Sequence, residues 1–175
     1  MELKDKLLID FKLPGEEKRW EIITDVVMGG VSQSSMIITP DETAIFHGEL
    51  SLENYGGFSS IRTNPQDYQL DGYEGLLLRV KGDGKIYRLR LRTDDEFDGI
   101  AYQASFITQP EKWIIVNLPF NKFVPVFRGR EVLEAPKLEP IRIRRIGFMI
   151  ADKQSGPFKL EIAWIKAYSK NQNKI

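Results

Sequence analysis

The chain has 175 residues, with 25 lysines plus arginines balanced by 25 aspartates plus glutamates, and no cysteine. That length fits one domain with a core large enough to need no disulfide or metal staple. Zero net charge speaks against nucleic acid as the main partner, and the missing cysteines exclude thiolate zinc sites, disulfides and cysteine nucleophiles.

The first twenty residues carry several acids and no uninterrupted apolar run. This fits neither a secretory signal nor a transit peptide. No segment approaches the roughly 18 apolar residues of a membrane span, so a soluble cytoplasmic protein is expected. Strand-like runs begin at 7–11 and 19–24 and continue at 35–39, 44–52, 58–62 and 75–81. Between them lie two similar stretches, TDVVMGGVSQSSM (24–36) and ENYGGFSSIRT (53–63), each with a Gly-Gly pair and hydroxyl side chains beside an apolar anchor. Gly82-Asp83-Gly84 then joins two alternating runs and reads as a hairpin turn. The run that follows sets Tyr87, Leu89 and Leu91 on one face and Arg88, Arg90 and Arg92 on the other. After the acidic DDEFDG (94–99) come strand candidates at 101–106 and 113–118. Residues 119–140, rich in Pro, Phe and Arg, read as a crossover connection with a turn of helix near 120–123. Alternation returns at 141–150, where Arg142 and Arg144 share a face, and at 158–165, where Phe158, Leu160, Ile162 and Trp164 align. The end, 170–175, looks frayed. No window carries an apolar stripe at helical spacing. About ten short strands separated by turn residues mean one all-β domain over 1–175, a sandwich or a barrel.

The residues supply little catalytic chemistry. The one histidine, His47, sits inside an alternating strand beside Phe46, where a structural role is the ordinary one. No nucleophile elbow and no phosphate-binding glycine loop are present. Asp25 and Glu49 would suit glycoside chemistry only if they faced each other across a cleft. The 94–99 stretch opens like a calcium loop, but its twelfth position is Ser105 where a bidentate Glu is needed, so an acidic loop is the expectation and a weak calcium site the alternative. The arginine stripe is either a solvated outer face or, beside the strand of Arg142 and Arg144, a guanidinium patch for carboxylates or phosphates. Trp20, Trp113 and Trp164 read as core.

In order, WEIITDVVMGGVSQSSM, FHGELSLENYGGFSSIRT, VKGDGKIYRLRLRT, YQASF, LPFNKFVPVFRGR and IGFMIADKQSGPFKLEIAWIKA resemble the complex I intermediate-associated protein family, over about 20–168. That family is named for a mitochondrial factor that helps assemble the respiratory NADH dehydrogenase. The resemblance implies a galactose-binding-like jelly-roll β-sandwich. It implies a non-catalytic, assembly-factor or chaperone-like role with a protein partner, such as a subunit of a respiratory or other membrane complex. It supplies no catalytic residue, metal or cofactor. Two positions depart from the family's habit: Thr24 stands where members often carry Asn before the aspartate, and Tyr55 replaces one of two asparagines before the second Gly-Gly. The short N-terminal region suggests a bacterial stand-alone member. The alternative function, from the galactose-binding-like architecture, is a carbohydrate-binding module, with Tyr55, Tyr102, Phe127 and Arg128 as its platform if they face solvent.

Arg62 and Arg128 are the leading binding candidates, because planar guanidiniums on loop-proximal positions suit protein interfaces. Asp25, Asn54 and Tyr55, from the two glycine segments, complete that set. Met28, Gly29, Gly30, Ser32, Gly56, Gly57 and Phe58 form the motif expected to be architectural, with the two Gly-Gly pairs close together. Should Arg62 be structural instead, Asp25 or Glu53 is its expected ion-pair partner.

Overall fold

Alternating side chains bury one face of each strand, and two sheets result. The computed structural model describes residues 5–169, so the frayed end expected at 170–175 lies outside it, as does the side chain of Tyr55. Strands β1 (Lys6–Asp10), β2 (Trp20–Thr24), β3 (Gln33–Ile38), β4 (Ala44–Leu50), β5 (Ser59–Thr63), β6 (Gly75–Lys81), β7 (Ile86–Arg92), β8 (Ala101–Ile107), β9 (Trp113–Pro119), β10 (Val124–Phe127), β11 (Arg130–Glu131), β12 (Arg145–Ile150) and β13 (Gly156–Tyr168) are connected by loops and short 3-10 turns. One sheet runs β3-β4-β13-β6-β9, with β1 also on β13. The other runs β11-β10-β8-β7-β12-β5-β2. All the strand pairs are antiparallel, and the sheets pack around Phe46, Leu78, Tyr87, Leu89, Phe148 and Ile162, none of which reaches solvent. The architecture is the all-β, galactose-binding-like jelly-roll sandwich.

The length of β13 follows from its neighbours. It pairs with β4 through Gly156–Ile162 and with β1 through Trp164–Ala167, while β6 lies along its other edge. A β-bulge between Ile162 and Trp164 marks the change of partner. An inserted residue reverses which face the following side chains use. Trp164 therefore leaves the row of Phe158, Leu160 and Ile162 and lies outside, with Lys166 4.3 Å from its ring. Trp113 is likewise outside, under Arg79 and Lys81. Of the three tryptophans, Trp20 packs on the core, between Phe11 and Phe148.

Three other expectations change. Gly82-Asp83-Gly84 is no hairpin: β6 and β7 lie in different sheets, so the turn carries the chain across the sandwich. Alternation tells which face is buried, and both arrangements satisfy it. The 119–140 segment does contain the 3-10 turn Phe120–Lys122, but it also holds β10 and the two-residue β11, too short to register as alternation. Pro140 starts a 3-10 turn, Pro140–Arg142, so β12 begins only at Arg145. The sheet arginine on that strand is Arg145; Arg142 instead pairs with Glu139 and Arg144 with Asp95.

Candidate functional site

The two glycine segments meet at one carboxylate. β2 and β5 pair with Thr24 opposite Ser59, which brings residues 25–30 beside residues 56–58. Asp25 follows β2, opens a 3-10 turn (Asp25–Met28), and has no exposed surface. Its Oδ1 accepts from the Ser32 N–H (2.9 Å), and its Oδ2 accepts from the Ser32 hydroxyl (2.5 Å) and the Gly57 N–H (2.6 Å). The Ser32 hydroxyl in turn accepts from the Ser51 N–H, tying in the chain after β4. A methyl group on Gly30 would lie 2.4 Å from the Asp25 carboxyl carbon, and one on Gly56 would lie 2.4 Å from Oδ2. Gly29 and Gly57 adopt left-handed φ of 88° and 124°, which turn the chain around the carboxylate. One glycine of each pair leaves room and the other makes the turn. Burial pushes the Asp25 carboxyl up, but the donors from Ser32 and Gly57 outweigh it and hold the group below the ordinary aspartate value.

This removes Asp25 from the binding candidates: it is an internal acceptor, out of reach of a ligand. Asn54 also leaves the site. It sits outside the cleft described next, at φ 56°, where asparagine tolerates the left-handed turn. The pairing of Asp25 with Glu49 fails as well, because Glu49 is exposed on β4, in the other sheet.

The buried carboxylate holds an apolar rim outward. Val26, Val27 and Met28 are 61%, 59% and 65% exposed. Thr24 fixes the turn by accepting from the Val26 N–H (3.2 Å). Val27 and Met28 border a cleft of about 610 Å³ over the outer face of the seven-stranded sheet, with Phe58 and Phe97 also on its walls.

The floor is a cross-strand grid. One row runs Glu21 (β2), Arg62 (β5), Gly147 (β12), Arg90 (β7), Gln103 (β8) and Val124 (β10). The adjoining rows place Arg88 beside Met149 and Arg92 beside Arg145. With no side chain at Gly147, the floor stays low between Arg62 and Arg90. Arg62, Arg88, Arg90, Arg92, Arg128 and Arg145 all line the cleft. The stripe is thus the bed of a groove, not an ordinary solvated face.

Acids satisfy some of these guanidiniums. Glu21 accepts from Arg62 Nε (2.6 Å) and Arg145 Nη1 (3.0 Å). Arg62, only 6% exposed, therefore pairs with Glu21 across the strands, not with Asp25 or Glu53. Burial raises the Glu21 carboxyl, but the two guanidiniums outweigh it and leave it below the usual range. Arg88 pairs with Asp152, and Arg128 with Asp98. The acidic 94–99 loop forms one wall, held by arginines: Arg62 donates to the Phe97 carbonyl, Arg92 to the Gly99 carbonyl, and Arg144 grips Asp95. Of the acids in this loop, Asp95 and Asp98 are paired with arginines.

Arg90 differs. Among the described residues its side chain has no ion pair and no hydrogen bond; its buried Nε is unpartnered, as are those of Arg88 and Arg145, but those two have carboxylate partners through their other nitrogens. Burial, reinforced by the neighbouring guanidiniums of Arg92, Arg88 and Arg62, pushes its pKa down to about 10. The Oε1 of Gln103, its cross-strand neighbour, is also buried without a partner. Buried polar groups are ordinarily hydrogen-bonded, so this adjacent donor and acceptor are open to water or to a ligand.

Of the sequence-derived candidates, Arg62, Arg128, Met28, Gly56, Gly57 and Phe58 come together on this cleft. Arg145, Gln103 and Phe97 were not among them, and Arg90 entered only as one member of the arginine stripe. The alternation of Arg88, Arg90 and Arg92 was the available signal for Arg90. The carbohydrate platform does not assemble, because Tyr102 is buried with its hydroxyl on the Pro136 carbonyl. His47 lies on β4 of the other sheet, bonded to Ser35 at 3.1 Å.

A family model described as Complex I intermediate-associated protein 30 (CIA30) matches residues 9–162. The chain is 27% identical over 181 residues to complex I intermediate-associated protein 30, mitochondrial, of Drosophila melanogaster, covering 91% of this chain and 61% of that one. It is 31% identical over 175 residues to an uncharacterized protein of Schizosaccharomyces pombe, covering 89% and 80%. The mouse mitochondrial relative is 27% identical, with 94% and 56% covered, so the chain spans little more than half of that protein. In structure it resembles a family 11 carbohydrate-binding module from Clostridium thermocellum, in complex with a β-1,3-1,4-mixed-linked tetrasaccharide (TM-score 0.74, 17% identity, 97% and 98% covered). It also resembles a family 29 carbohydrate-binding module complexed with cellulohexaose (TM-score 0.56, 11% identity, 100% and 98% covered). At those identities the likeness is one of fold. With the family match spanning most of its length, the chain belongs to the complex I intermediate-associated protein 30 family.

Proposed function

We propose that this chain is a non-catalytic protein-binding module of the assembly-factor kind, and that it holds its partner in the arginine cleft. The observation that carries this reading is the exposed rim of Val27 and Met28 beside a floor of incompletely paired guanidiniums. Exposed apolar residues rimmed by charge mark protein interaction sites, and arginine is enriched in interface cores. Family membership supports a partner that is a subunit of a respiratory or other membrane complex. An enzymatic reading lacks support, since the histidine and the cleft lie on different sheets.

The second reading, a carbohydrate-binding module, is favoured by the fold of the structural neighbours. Against it stands the composition of the cleft, whose aromatic residues among the described side chains are Phe58, Phe97 and Phe148.

The test is photo-crosslinking in native extract from two positions: Met28 on the rim and Ile115, also exposed, on the outer face of the other sheet. One defined polypeptide crosslinks from position 28 and not from 115. Equal labelling from both positions, or none from 28, overturns the proposal. Retention on neutral β-glucan columns in place of protein capture transfers the cleft to the second reading.

A further inference from the structure

We infer that the segment of partner held in the cleft is extended and acidic, with carboxylates at alternate positions that pair with Arg90 and Arg92. This rests on the binding-module reading and adds the chemistry of the occupant.

Three observations lead to it. First, the floor is short of acids. Glu21 serves Arg62 and Arg145, Asp152 serves Arg88, and Asp98 serves Arg128. Arg90 and Arg92 have no carboxylate within ion-pair distance among the described residues; Arg92 reaches only the Gly99 carbonyl. Half-buried guanidiniums beside one another repel, and a ligand carboxylate relieves both the repulsion and the lost hydration.

Second, the spacing is that of a strand. Arg90 and Arg92 are two residues apart on β7 and face the same way. Same-face residues on an extended chain repeat every ~6.6–7 Å. An extended segment laid along β7 matches that interval with acids at i and i+2, and contiguous acids would point every second carboxylate away from the floor.

Third, the floor also presents an acceptor. Gln103 Oε1 is buried and unbonded next to the equally unbonded Arg90 Nε. A polypeptide offers a backbone N–H for the first and a carboxylate for the second. A phosphate group fills only the donor side. The apolar rim of Val27 and Met28 favours a chain with apolar side chains nearby.

The experiment is fluorescence anisotropy with two labelled pentapeptides of equal composition and charge, Glu-Val-Glu-Val-Glu and Glu-Glu-Val-Val-Glu, on the full chain at low and moderate salt; the second has no two acids at i and i+2. The alternating peptide binds at least tenfold more tightly than this isomer. Arg90→Gln weakens it at least tenfold, with a melting temperature no lower than that of the unaltered chain. Inorganic polyphosphate competes more weakly than the alternating peptide. Equal affinity for the two isomers, an Arg90→Gln variant that folds and binds unchanged, or polyphosphate binding in preference to peptide each overturns the inference. The two levels separate: a partner that crosslinks from position 28 while neither peptide binds leaves the binding module standing and removes the acidic segment. Alternating-peptide binding with no crosslinked partner keeps the anionic specificity and removes the assembly reading.

Discussion

Asp25→Ala is expected to destabilise the fold by about 3–5 kcal/mol, the sum of three buried donors each losing an acceptor at about 1–3 kcal/mol less partial relaxation. The donors are the Ser32 N–H, the Ser32 hydroxyl and the Gly57 N–H. No cation lies within ion-pair distance of Asp25 among the described residues, so dipoles alone hold the charge. Asp25→Asn keeps the shape but turns an amide N–H₂ toward donors, and it is expected to cost about 2–3 kcal/mol. Chemical denaturation measures both. The pH dependence has a definite sign. The carboxyl is held below its unfolded value, so its stabilisation is complete above about pH 4 and fades as the pH falls through the lower, folded value. The deficit of Asp25→Asn should therefore shrink in acid. A deficit under about 0.5 kcal/mol at neutral pH, typical of surface changes, would show that the carboxylate does not organise the glycine segments. Function follows the same link, since the turn that starts at Asp25 carries Val27 and Met28 on the cleft rim.

Glu21→Ala is the second large effect, because one carboxylate serves two buried guanidiniums. Removing a buried ion-pair partner costs about 3–5 kcal/mol. The Glu21 side chain is 41% exposed, and solvent screening reduces the expected loss to about 2–3 kcal/mol. Arg62→Ala should cost less, because Glu21 keeps Arg145 at 3.0 Å. Removing Glu21 also adds positive potential to the floor. Glu21→Ala is thus expected to lower stability while tightening the binding of acidic ligands, and ion-strength titrations should show a steeper salt dependence. Lower stability with unchanged or weaker anion binding would place Glu21 outside the field of the cleft.

Much of this architecture was legible in the residues, for reasons that also explain the gaps. Period-two alternation marks β6, β7 and β8 because each buries one whole face. It is silent on which sheet a strand joins, so Gly82–Gly84 looked like a hairpin. It fails after Ile162, where the bulge reverses the phase and moves Trp164 outside. It is also misled before Arg145, where the Pro140 turn delays the strand by several residues. The two Gly-Gly pairs were visible as a repeated device, yet their common centre was not. A buried aspartate bonded to N–H groups looks, in sequence, like any acid in a loop. The arginine stripe was legible, but the pairing of Arg62 with Glu21, 41 residues apart, and the isolation of Arg90 depend on cross-strand neighbours that the local sequence does not reveal.

The most direct test of the cleft as the binding surface compares capture of the crosslinked partner by Arg90→Gln and by Arg142→Gln. Both changes remove one guanidinium. Arg90 stands on the floor of the cleft, whereas Arg142 lies outside it in an exposed pair with Glu139. With both variants folded, Arg90→Gln should lose at least nine-tenths of the captured partner and Arg142→Gln should keep it; equal capture by the two would contradict the assignment of the partner to this cleft.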